Sequence, residues 1–146
     1  MKNPSRVLLV DDNPADIDLT SDVLAHGDYP SLVCSVADGE EAIAYLQRAG
    51  QYADKLVPDL VLLDLNLPRK DGRAVLAEVK GHPRLRTTPV VIFSTSQASQ
   101  DIAKSYELGA NSYVCKPGNL HDYIAAVDSI GEFWFGCARF PHPEEP

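Results

Sequence analysis

"LVLLDLNLP", residues 60–68, opens as an unbroken apolar run and then places an aspartate, Asp64, at its tip. Asn66 and Pro68 follow at once, and both residue types stop a strand. The run suits a strand buried on both faces. A core strand that delivers a single carboxylate to its end and breaks off there raises the question of what that carboxylate meets.

Working outward, Asp59–Leu63 is one of five apolar, β-branched segments, the others being Arg6–Val10, Ser31–Val36, Pro89–Phe93 and Ser112–Val114. The first, third and fourth are continuous apolar runs, the signature of strands covered on both faces. Helical patterns alternate with them. Ala42, Ile43 and Leu46 fall at helical spacing, as do Val75, Leu76 and Val79. Asn13-Pro14 and Asp71-Gly72 read as helix starts, and Gly27, Gly50 and Gly81 as stops. A fourth helix, roughly 98–108, is weakly periodic. In the fifth, Leu120, Tyr123, Ile124, Val127 and Trp134 mark one stripe. This alternation predicts one α/β domain, a five-stranded parallel doubly wound sheet with right-handed crossovers and helices on both faces.

Composition narrows the function. The 146 residues carry 13 Lys plus Arg against 21 Asp plus Glu, a net charge of −8, and no basic cluster stands out. Nucleic acid and anionic membrane are thereby disfavoured as main partners. The N-terminal stretch is no signal peptide, and no apolar run is long enough to span a bilayer. Cys34, Cys115 and Cys137 are odd in number and widely spaced, which predicts unpaired thiols in a reducing cytoplasm.

In an open parallel sheet, ligands bind at the carboxyl ends of the strands. Strand 1 ends in Asp11 and Asp12, strand 3 in Asp64, strand 4 in Ser94 and Thr95, and strand 5 in Lys116. Each has a plainer explanation alone: the Asp11–Asp12 pair as helix caps, Asp64 as a turn residue, Ser94 as a loop hydroxyl, Lys116 as a solvated lysine. Together they fall at the same end of one sheet. Clustered carboxylates repel unless a cation sits among them, and hard oxygen ligands suit Mg2+. A carboxylate also attacks phosphorus as a nucleophile, giving an aspartyl phosphate. The metal and a lysine would offset the charge gathering on the transferring phosphoryl group.

These residues resemble the receiver domain of two-component response regulators. "LLVDDNPAD" is similar to the family's acidic pair, "VLLDLNLPRKDG" to its phosphoacceptor strand and loop, "VIFSTS" to its hydroxyl position, and "ANSYVCKP" to its switch aromatic and lysine. The spacings from Asp64 to Ser94 and from Ser94 to Lys116 also match. The resemblance implies a flavodoxin-like strand order 2-1-3-4-5, with residues 1–137 as the receiver domain and 138–146 as a Pro-rich C-terminal tail. It implies that Asp64 takes phosphate from a sensor histidine kinase. Asp11, Asp12, Asp64 and the backbone carbonyl of Asn66 would hold Mg2+, and Ser94, Thr95, Tyr113 and Lys116 would form the phosphate-binding and switch set. It further implies a cis peptide bond between Lys116 and Pro117. Thr95 stands where many receivers have Ala or Gly, and Gly118 where a larger apolar residue is common; both bear on the rate of phosphate loss.

The long insert before strand 3, the "ANSY" segment and the "FWFG" ending further resemble stand-alone regulators paired with bacterial phytochromes. Successive helix residues point about 100° apart, so Phe133, Trp134 and Phe135 cannot all face the sheet. At least one should be exposed next to Phe140. That predicts either a tail folded back over it or a homodimer joined near Tyr113 through Phe133, Trp134, Phe135 and Phe140. Two other readings remain at this point. "DLNL" loosely resembles the aspartate loop of haloacid-dehalogenase-like phosphatases, but two βα units precede Asp64 and Asn66 replaces the second acid. A non-phosphorylated interaction module would have lost an acidic or lysine position, and none is missing.

Overall fold

A computed structural model describes residues 4–141. Five parallel strands, β1 (Ser5–Val10), β2 (Ser31–Val36), β3 (Leu60–Leu63), β4 (Val90–Ser94) and β5 (Ser112–Cys115), form one sheet in the order β2-β1-β3-β4-β5. The three continuous apolar runs are the three inner strands. Val7 to Val10 of β1 and every residue of β3 and β4 are buried. The edge strands β2 and β5 are only partly covered.

Alternation along each strand divides the core between two faces. Leu8, Val10, Val61, Leu63, Val90 and Ile92 pack against α2 (Gly39–Leu46) and α3 (Gly72–Gly81) through Ala42, Leu46, Val75, Leu76 and Val79. Val7, Leu9, Leu60, Leu62, Val91 and Phe93 pack against α1 (Pro14–His26) and α5 (Leu120–Gly131) through Leu24, Tyr123, Val127 and Ile130. Truncating one of these leucines or isoleucines to Ala costs about 2–5 kcal/mol. The helix α4 (Ser99–Glu107) buries only Ser105 and has no side-chain cap, as its weak pattern foretold.

Helix starts fall where the caps predicted. Asn13 accepts from the N–H of Asp16 with Pro14 in the first turn, and Asp71 accepts from Arg73. Three expectations differ. First, α2 stops at Leu46 rather than running to Gly50. Gln47 and Ala49 return their N–H groups to Ile43 and Ala44, Arg48 turns left-handed (φ 58°), and a 3-10 turn follows at Gly50–Tyr52. Second, the buried stripe of α5 is Tyr123, Val127 and Ile130, whereas Leu120 at the helix's first position is 62% exposed. Beyond Gly131 the helix widens into a π-helical segment, Glu132–Cys137, yet Trp134 still packs, partly buried, against the same core, as its place in the stripe predicted. Third, the Lys116–Pro117 bond is trans, as is every peptide bond among the described residues.

The π-helical segment ends at Cys137, the last residue before the expected tail; positions 142–146 of that tail lie outside the described residues. Phe140 stacks on Trp134 (centroids 6.1 Å apart, planes 11° apart) and touches Phe135 (6.2 Å), so the first part of the tail does fold back. Phe133 meets Trp134 edge-on and stays 53% exposed. Among the described residues no helix is long and apolar enough to cross a membrane. The three cysteines are free, with Cys34 and Cys137 exposed and Cys115 half-buried.

Candidate functional site

The sheet's hydrogen bonding sets the positions of the site residues at the strand ends. The N–H of Asp11 donates to Val36 (3.1 Å), that of Asp64 to Val10 (2.9 Å) and that of Lys116 to Ser94 (2.7 Å). These bonds hold three chemistry-bearing residues in register at the carboxyl edge of the sheet, where open α/β sheets bind ligands. The turn after β3 is equally confined: a Cβ on Gly72 would lie 2.2 Å from the carbonyl oxygen of Asp64, so only glycine fits there.

Lys116 occupies the centre, its side chain 3% exposed. An ammonium has three N–H donors. Here each meets a different carboxylate: Oδ2 of Asp11 at 2.6 Å, of Asp16 at 2.9 Å and of Asp64 at 2.9 Å. The Phe93 ring lies 5.9 Å from Nζ and adds a cation–π attraction. Burial alone would lower the lysine's pKa. The hydrogen bonds to Asp11, Asp16 and Asp64 outweigh it and hold the ammonium above its ordinary value. Burial pushes the Asp11 carboxyl up, and the bonds from Lys116 and the N–H of Asn13 only partly offset that.

Asp64 and Asp11 are therefore brought together with Lys116, as the strand ends predicted. Asp12 is exposed and stays outside this cluster, and Asn66, also exposed, donates its N–H to Asp64 (3.3 Å). Ser94 is fully buried beside Lys116 in the sheet, and Thr95 is exposed on the wall of a neighbouring cavity. Among the described residues, no three acidic, His or Cys side chains stand in a metal-ligand arrangement. The donor chemistry nevertheless fits a hard divalent cation. Three carboxylates face one ammonium, so the cluster remains net negative, and a positive charge already sits between Asp11 and Asp64.

Tyr113 is half-buried, and its hydroxyl donates to the carbonyl of Ser96 (2.9 Å). Burial raises the Tyr113 pKa despite that bond. Tyr113 packs on the α2–α3 face of the sheet, whereas Trp134, Phe135 and Phe140 pack on the α1–α5 face. The structure does not bring the residues expected at a common interface together.

Two groups of residues escaped the sequence reading. Asp16 reaches Lys116 from the first turn of α1; the Asn13-to-Asp16 capping spacing was the available signal. The other group is a relay from the β4–α4 loop to α3. Ser96 Oγ donates to Asp101 (2.6 Å), Arg73 donates to Asp101 (2.7 Å), and Arg73 also reaches Asp71 (3.2 Å). Nothing in the local pattern links residues so far apart in the chain.

Parallel strands in this order, with an aspartate and a lysine meeting at their carboxyl edge, define a receiver-type α/β protein. The chain belongs to the response regulator receiver domain family, whose sequence model matches residues 7–128. It is 43% identical to response regulator Rcp1 of Synechocystis sp. over 138 residues, 94% of each chain. The crystal structure of the phosphorylated cyanobacterial phytochrome response regulator RcpA superposes with a TM-score of 0.92 at 48% identity, covering 96% of this chain and all of that one. The Mn2+-bound form of Rcp1 gives 0.91 at 42% identity, covering 95% and 100%. The family is one of signalling regulators rather than catalytic enzymes, and neither the phosphatase nor the interaction-module reading is favoured.

Proposed function

We propose that Asp64 accepts the phosphoryl group of a phosphohistidine on a sensor histidine kinase of the phytochrome type, in the cytoplasm. The observation that carries this is the placement of the Asp64 carboxylate, 11% exposed, at the end of β3 within 2.9 Å of a buried ammonium. An Asp64 oxygen attacks phosphorus, the P–N bond breaks, and the histidine ring leaves with that electron pair. Mg2+, held by Asp11, Asp12, Asp64 and the carbonyl of Asn66, would act as a Lewis acid on the phosphoryl oxygens. The phosphorylated state of RcpA and the Mn2+-bound form of Rcp1 support both halves of this reading.

Lys116 keeps its charge and aims at the position the phosphate would take, and Ser94 offers a hydroxyl beside it. Ser94 Oγ at present accepts the N–H of Ser96 (3.3 Å), whose carbonyl accepts from Tyr113. A turn of Ser94 toward phosphate would release that loop and Tyr113 with it. Exposed Thr95 adds bulk at the entrance and limits the water that hydrolyses the phosphate.

Output then passes by protein contact. The exposed Phe133 supports a symmetric homodimer through the π-helical segment and the edge strand β5, with Trp134, Phe135 and Phe140 as its backing and Tyr113 reached only around the strand edge. A small acyl-phosphate donor tests the functional reading. A receiver keeps one labile phosphate on itself, a phosphatase turns over external substrate, and an interaction module does neither.

A further inference from the structure

Three carboxylates hold Lys116, and one of them lies outside the proposed cation ligands. Asp11 and Asp64 belong to that set; Asp16 does not. Asp16 sits in the first turn of α1, where its backbone N–H, 3.1 Å from the Asn13 side chain, completes the helix cap. The cap leaves its carboxylate free to reach back to Nζ of Lys116 at 2.9 Å. Its side chain is 25% exposed, against 2% for Asp11 and 11% for Asp64. It is thus the outermost of the three, on the wall of a cavity of about 420 Å3 that Thr95, Lys116 and Leu120 also line.

We propose that Asp16 is a positioning residue for Lys116: it keeps the ammonium paired when Asp11 and Asp64 turn their oxygens to a divalent cation. This rests on the metal-binding reading above. A carboxylate oxygen that turns to the cation gives up its bond to Nζ, 2.6 Å at Asp11 and 2.9 Å at Asp64, because two positive charges repel at that range. A buried ammonium left without partners is strongly disfavoured. Asp16 removes the conflict, since Lys116 shifts on its four-carbon stem toward a carboxylate already within bonding distance. The site then takes up the cation without expelling its lysine, which stays near for the phosphate that follows.

Asp16 could instead draw the cation by its charge alone, independently of Lys116, and titration calorimetry separates the two. Mg2+ and Mn2+ are titrated into the unphosphorylated protein, into Asp16→Asn and Asp16→Ala, and into the same variants combined with Lys116→Met. Asp16→Asn keeps the shape of the side chain, and the backbone cap survives both changes; circular dichroism confirms the fold of each. The expected result is a Kd raised about tenfold by either Asp16 substitution when Lys116 is present, and no rise when Lys116 is absent. Equal weakening in both backgrounds, or none in either, overturns the proposal. A wild type that binds neither ion overturns the metal-binding reading itself and the proposal with it.

Discussion

Nζ of Lys116 stands 2.9 Å from Oδ2 of Asp64, though 52 residues separate them in the chain. Two parallel strands, β3 and β5, carry them to that point with β4 lying between. The contact puts a fixed positive charge beside the one carboxylate that the third strand delivers. It also ties the stability of the fold to the chemistry of the site.

Removing the lysine should expose that link. Lys116→Met leaves Asp11, Asp16 and Asp64 as mutually repelling carboxylates, two of them largely buried. In chelator the variant should lose about 3 kcal/mol of unfolding free energy, and Mg2+ should restore part of it. Because the folded-state pKa of Lys116 is raised, its contribution is fully present below the unfolded lysine value of about 10.4 and fades only as pH climbs through the higher folded value. The deficit should therefore be level from pH 6 to pH 9, in roughly the range accessible to urea titration. A variant as stable as wild type in chelator contradicts this.

Asp101 supplies an acid-side test. Hydrogen bonds from Ser96 and then Arg73 hold its carboxyl below the usual value. A depressed folded pKa contributes stability that is present above the unfolded value, about 3.9, and is lost as pH falls through the folded one. The gap in urea midpoint between wild type and Asp101→Asn should be constant above about pH 5 and close as the solution is acidified. A gap that widens in acid would show the opposite sign.

Ser94→Ala should separate labelling from response. The variant should still be phosphorylated, since Ser94 contributes no bond to Asp64 in this structure. Its amide exchange across residues 96–101 on phosphorylation should change by less than about half of the wild-type shift, because the loop is no longer moved by the Ser94 hydroxyl. Failure to label, or a full-sized change, rejects the switch role.

The core strands and the gathering of Asp11, Asp64 and Lys116 at the strand ends were legible because both follow from short, local patterns. Three apolar runs marked β1, β3 and β4, and each ended on a residue too polar to continue. Asn13 and Asp71 marked helix starts because a cap is a property of three or four consecutive residues. The misses are non-local. Leu120 has the right spacing to join Tyr123 and Val127, yet it lies too near the helix start to reach the core. Asp16 and the Arg73–Asp101 pair act across elements whose approach only the packed sheet determines. The widening of the helix at Glu132 is a backbone change that regular helical spacing does not anticipate, although Trp134 keeps its place on the core.

Phe133 makes the dimer testable at one position. Wild type should sediment as a dimer at micromolar concentration, and Phe133→Ser as a monomer. Compared at concentrations where both are monomeric, the two should differ in unfolding free energy by less than about 0.5 kcal/mol, since the side chain replaced is exposed on the single chain. A wild type that remains monomeric at high concentration, with or without phosphate, leaves the folded-back Phe140 as the whole function of the tail.

The central claim is that Asp64 is the sole acceptor and that transfer needs the cation. Intact mass measured after exposure to a small acyl-phosphate donor and Mg2+ tests it most directly. Wild type should gain one labile phosphoryl group, Asp64→Asn none, and wild type in chelator almost none, with Asp12→Asn suppressed chiefly through weaker metal uptake. Stable labelling of Asp64→Asn, or full labelling in chelator, would contradict the account.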